Sequence, residues 1–126
     1  MNAALPSLTQ PGLVLSTREN AAGLEIDFDG TADMHAIEKL DAYLGAIHAA
    51  AVDRRVHRVR VDFRKLEFMN SSCFKSFVSW IGQVQEAPPA DRYRIEFLSN
   101  PRMHWQRRSL NALRCFALDL VTIQTG

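Results

Sequence analysis

Arg58 to Phe74 reads Arg-Val-Arg-Val-Asp-Phe-Arg-Lys-Leu-Glu-Phe-Met-Asn-Ser-Ser-Cys-Phe. Val59, Val61 and Phe63 fall on every second position, which puts them on one face of a half-buried strand. Leu66 to Asn70 then reads as a loop, and Asn70 or Ser71 can accept hydrogen bonds from the unpaired N–H groups that open a helix. Phe74, Phe77, Val78, Ile81 and Val84 form one apolar stripe at helical spacing. Ala87-Pro88-Pro89-Ala90 ends that helix, because proline lacks the N–H and forces its predecessor out of the helical region. A strand leading through a short loop into an amphipathic helix is half of a crossover unit, so the stretch fixes an α/β reading.

Working outward, the same alternation recurs on both sides. Leu13 to Thr17 and Leu24 to Phe28 are strands around a turn at Asn20 to Gly23, and Leu24, Ile26 and Phe28 share a face opposite Glu25 and Asp27. Asp29-Gly30 closes the second of them. Asp33 caps a first helix with Ile37, Leu40, Leu44 and Ile47 in register and Tyr43 beside them. Downstream, Tyr93 to Leu98 is another strand. Asn100-Pro101 is a helix start, a capping side chain followed by a proline at the first helical position, and that third helix runs to Cys115 or Phe116. Leu118 to Ile123 supplies the last strand. The order β-β-α-β-α-β-α-β predicts a mixed, mostly parallel sheet of about five strands with helices mainly on one face. Residues 1–12 read as a flexible N-terminal tail or short edge segment, and 13–126 as a single domain.

The bulk numbers fit one ordinary globular unit of 126 residues, 47% apolar and 23% charged. A formal charge of +1 provides no whole-protein field for nucleic acid or an acidic membrane. The first eleven residues carry no Lys or Arg and no sustained apolar run, which argues against a signal peptide. No apolar run approaches the roughly 20 residues of a membrane span. Two cysteines, Cys73 and Cys115, are too few for a disulfide framework, so a reduced, cytoplasmic setting is expected.

Catalytic and metal chemistry find little support. His35, His48, His57 and His104 are scattered, with no HExxH and no CxxC. Asp27, Asp29, Asp33 and Gly30 suggest a calcium loop, but Glu38 is out of register for its closing bidentate ligand, and a strand end plus a helix cap accounts for the aspartates. No GxSxG elbow, phosphate-binding glycine loop or dinucleotide fingerprint is present, so no cofactor and no enzymatic role are expected. Arg102, Arg107, Arg108 and Arg114 gather on the third helix with His104 and Trp105. They read either as a docking face for an acidic protein or RNA, or as an ordinary solvated face; near-neutral charge favours the latter over nucleic acid.

The remaining feature is Leu66 to Phe74, two hydroxyls at a helix start beside an apolar stripe. A helix N-terminus offers free N–H groups and a positive dipole end to a phosphoryl group, although simple capping explains the same residues. Together with Val59 to Phe63, this run resembles the strand, loop and helix start of STAS domains, which include the anti-sigma factor antagonists with their Asp-Ser-Ser-Gly loop. The layout from residue 13 to 123 is similar too, including Asp29-Gly30 before the first helix and Leu120 to Ile123 at the end. The resemblance implies a non-enzymatic partner-switching regulator. A kinase-like anti-sigma protein would phosphorylate Ser72, a PP2C-type phosphatase would reverse it, and Asn70, Ser71, Ser72, Cys73 and Lys75 would form the docking surface, with the Ser72 hydroxyl exposed. The sequence departs from the family pattern at Asn70, where the family has aspartate, and at Cys73, where it has glycine. The alternative is a constitutive scaffold or accessory subunit, for example of a transporter ATPase, without a phosphorylation switch; a small-molecule sensor is a third reading.

Overall fold

Leu24, Ile26 and Phe28 turn the same side of β3 (Gly23–Ala32) into the core, as their alternation requires. The computed structural model describes residues 5–126. Around β3 it arranges β1 (Leu8–Gln10), β2 (Leu13–Asn20), β4 (Arg58–Met69), β5 (Arg94–Ser99) and β6 (Val121–Thr125) in one sheet of order β1-β2-β3-β4-β5-β6. The first three strands pair antiparallel and the last four parallel. Helices α1 (Ile37–Asp53), α2 (Ser71–Glu86) and α3 (His104–Phe116) make the three crossovers. The α/β architecture and mixed sheet are therefore as the sequence predicts.

Four local differences stand out. The sheet has six strands and not five, because Leu8–Gln10, within the segment read as a tail, pairs with Leu13–Leu15 and buries Leu8. Gly12, at φ +82°, makes the intervening turn, and its carbonyl accepts from the N–H of Thr31 at 2.7 Å. The approach there is so close that a Cβ on Gly30 would lie 2.0 Å from the Gly12 oxygen. The first four residues of the tail lie outside the described part. Second, β4 continues to Met69 through the stretch read as a loop. Between the pairs Asp27↔Asp62 and Asp29↔Lys65, β4 advances three residues while β3 advances two, and a second shift falls before Thr31↔Phe68. The first shift puts Phe63 and Leu66, three apart, both in the core. Third, α3 begins at His104. The Asn100 side chain accepts from the Arg102 N–H at 2.9 Å and so caps a separate turn ahead of the helix. Fourth, β6 starts at Val121, after a turn in which the Leu120 and Val121 N–H groups both reach the Ala117 carbonyl.

One hydrophobic core joins the inner face of the sheet to the helices. At its centre Phe28, Phe63, Phe77 and Phe97 pack ring on ring with centroids 5.1–6.0 Å apart, mostly edge-on or tilted, the geometry aromatic quadrupoles prefer. The outer face is closed by charge instead. Arg18 bridges Glu25 and Asp27, while Arg60 bridges Glu25 and the largely buried Glu96, which Gln124 also contacts. The ladder lets that face remain wet without an apolar patch.

A polar chain crosses the α1–α2–β5 junction. The Trp80 Nε1–H donates to the Tyr93 hydroxyl at 2.9 Å, and that oxygen lies 2.8 Å from His48 Nδ1. Indole can only donate, which leaves the Tyr93 proton available to an unprotonated His48 Nδ1. Burial lowers the His48 pKa, with Asp91 opposing the shift, and burial raises that of Tyr93. Folded His48 thus takes up a proton less readily than unfolded histidine, whose pKa is about 6.5. Its contribution to stability is complete above that pH and is lost as pH falls through it. The urea midpoint of wild type should therefore drop between roughly pH 7 and 5 more steeply than that of His48→Gln. Equal slopes would show that His48 does not carry the effect.

Candidate functional site

The extra residues in β4 carry its end level with the end of β3, where Met69 pairs with Ala32 and the Asn70 N–H donates to the Ala32 carbonyl at 2.8 Å. The chain turns there, and Asn70, extended at φ −64° and ψ 148°, becomes the cap of α2. Its Oδ1 accepts from the Ser72 N–H at 2.8 Å, and its carbonyl accepts the first helical bond, from Phe74. Of the two capping readings open in the sequence, Asn70 is the one realised.

Ser71 is exposed, Ser72 as a whole is half-buried, and Lys75, one turn further on, is exposed. No acidic residue stands in the first turn of α2. Cys73 points inward, wholly buried, with its Sγ 3.4 Å from the Asp33 carbonyl. Burial raises its thiol pKa, and the charges of Asp33 and Asp41 add to the effect. A buried side chain cannot touch a docked protein, so Cys73 leaves the predicted docking set. Asn70, Ser71, Ser72 and Lys75 remain.

Across from this turn lies Met34–Ala36, a single 3-10 turn capped by Asp33, whose Oδ1 accepts from the His35 N–H at 2.9 Å. Met34 is 65% exposed and Phe68, at the end of β4, 50% exposed. Both belong to the segments that meet beside α2, and the sequence reading assigned neither a role. The four arginines of the third-helix region are also exposed, and none makes an ion pair among the described residues. Among the described residues no group of three or more His, Cys, Asp or Glu could hold a metal ion. No described helix is long and apolar enough to cross a membrane.

No protein-family model matches the chain, and no curated protein matches it. Solved structures do. An anti-sigma factor antagonist from Mycobacterium paratuberculosis superposes with a TM-score of 0.62 at 15% identity, over 86% of each chain. The anti-sigma factor antagonist SpoIIAA, in its unphosphorylated form, gives 0.60 at 18% identity over 88% of each. The chain has the STAS fold of the anti-sigma factor antagonists. In this STAS-like fold the Asn70–Ser72 turn sits at the carboxyl ends of the parallel strands β3 and β4, the end of an open α/β sheet where crossover loops leave room for a ligand or partner.

Proposed function

We propose that the chain is a partner-switching regulator of the anti-sigma antagonist type, docking a kinase-like anti-sigma protein at the start of α2, with Ser72 as the residue phosphorylated and a PP2C-type phosphatase restoring it. The observation carrying this reading is the pair Ser71-Ser72 in the first turn of α2, without a carboxylate in that turn, with exposed Met34 and Phe68 on the segments that adjoin it. The apolar side chains offer a partner area to bury, while the hydroxyls supply the switch. Phosphate on Ser72 would bring about −1.5 to −2 charges to the positive end of the helix, with Lys75 one turn away. Asn70 caps the Ser72 N–H as a carboxylate would, yet adds no charge to repel that phosphate. One structural neighbour, SpoIIAA, is described in an unphosphorylated form, which agrees with a switchable site in this fold.

The constitutive scaffold reading draws on the half-burial of Ser72, which favours a residue that shapes the turn over one presented to a kinase. Ser72→Ala and Ser72→Asp separate the two. A negative charge in the first helical turn should change stability by no more than a few tenths of a kcal/mol, in the favourable direction. The same charge facing a partner surface built for a hydroxyl should weaken capture of the principal partner at least about tenfold. Thermal unfolding and quantitative affinity capture on the three proteins give both readouts. Early unfolding of both variants would make Ser72 a structural residue, and unchanged capture by both would leave the scaffold reading in place.

A further inference from the structure

The β6 edge of the sheet carries a groove between α3 and β6, of about 510 Å³. Its α3 wall is the stripe His104, Arg107, Asn111 and Arg114, spaced three to four residues apart and so aligned along one helix face. Ile123 and Thr125 of β6 form its floor, and no Asp or Glu lines it. Arg107 and Arg114 are exposed and make no ion pair among the described residues, unlike Arg18, Arg58, Arg60 and Arg64, four of the strand arginines, each of which has a carboxylate partner. The groove therefore holds a concentrated, uncompensated positive charge on a chain whose total is only +1.

Among the described residues β6 is the last strand of the sheet and has a neighbour on one side only. The Ile95 N–H donates to the Leu120 carbonyl and the Gly126 N–H to the Ser99 carbonyl. Even-numbered residues of the strand thus direct their main-chain groups at β5, and alternation turns those of Ile123 and Thr125 to the open edge. Ile123 and Thr125, with outward main-chain groups, are also the β6 residues whose side chains floor the groove. An extended chain added at this edge receives main-chain hydrogen bonds from Ile123 and Thr125, and every second side chain of it faces the arginine stripe.

We propose that this groove is a second docking site, independent of Ser72, for an extended acidic segment of a partner protein that adds a strand to β6 and sets its carboxylates against Arg107 and Arg114. The probe is a fluorescently labelled peptide of alternating glutamate and valine, followed by anisotropy and by amide exchange of the protein. The peptide is expected to bind at low salt, to weaken as salt rises, and to slow exchange at Ile123 and Thr125. Arg107→Glu with Arg114→Glu should lower its affinity at least about tenfold, while Arg108→Glu, outside the groove, should leave it within about twofold. A peptide of the same charge interrupted by prolines should bind less, since it cannot complete the ladder. Equal loss in the Arg108 variant, unchanged exchange at β6, or equal binding of the proline peptide would overturn the proposal. So would tighter binding of an oligodeoxythymidylate with the same sensitivity to Arg107 and Arg114, which would make the groove a nucleic-acid surface, or a doubling of mass with concentration, which would give the edge to a second copy of the chain.

Discussion

Phe77→Ala is expected to destabilise the fold by about 3–5 kcal/mol, the range for removing a fully buried phenylalanine. Phe77 has no exposed surface, and its ring meets Phe28, Phe63, Phe97 and Trp80 with centroids between 5.5 and 6.3 Å. These neighbours come from β3, β4, β5 and α2 itself, so a shift that fills the space for one opens it for another. The cavity term should therefore persist alongside the lost transfer free energy. Against a total stability of about 5–15 kcal/mol for such a domain, this is a large fraction. Urea unfolding with an unchanged denaturant slope measures it directly, and a loss under about 1 kcal/mol would mean that the core closes around the gap.

The same residue shows what could be read without a structure. Phe77 stood out because Phe74, Phe77, Val78, Ile81 and Val84 repeat at the helical period, and burial of Phe77, Ile81 and Val84 follows from that repeat. Alternation likewise marked Val59, Val61, Ile95 and Phe97. What alternation cannot signal is a change of phase. Beyond Phe63 the inward positions of β4 skip to Leu66 at the bulge, so a continuing strand looks like a loop. At Asn100 the capping chemistry was real, but its bond goes to Arg102 in a turn that stops before α3, since one local Asx bond fits a turn and a helix equally. The Ser72 turn was legible because capping is local in sequence. The exposure of Met34 and Phe68 was not, because it depends on which segments meet beside α2. Cys73 was placed in the docking set by adjacency to Ser72, whereas a helix rotates successive side chains by about 100° and turns it into the core.

Gln106 is the residue the sequence concealed most, although its spacing to Leu110 and Leu113 is that of a buried stripe. It has no exposed surface, and its Nε2 donates to the carbonyls of Phe63 at 2.6 Å and Leu66 at 2.9 Å, while its Oε1 accepts from the Asn100 N–H at 2.8 Å. Pairing of β4 with β5 ends at Asp62↔Leu98, and beyond it the amide of Gln106 supplies donors to the carbonyls of Phe63 and Leu66. It ties the end of β4 to the start of α3 and to the turn after β5 in one contact. Gln106→Leu keeps the volume nearly constant but leaves two buried acceptors and one donor unmet, at about 1–3 kcal/mol each. The expected loss is therefore about 3 kcal/mol or more. Gln106→Glu should be equally damaged at neutral pH, where it places a carboxylate against two carbonyl oxygens. Burial and those oxygens raise a carboxyl pKa in the folded state, so its stability is highest below the unfolded value of about 4.3 and is lost as pH rises through it. Relative to wild type, the glutamate variant should recover on acidification, because a protonated carboxyl can again donate, and the leucine variant should not. Urea unfolding of the three proteins at neutral and acid pH tests this, and a Gln106→Leu protein within about 1 kcal/mol of wild type would show that the Phe63 and Leu66 carbonyls find other donors.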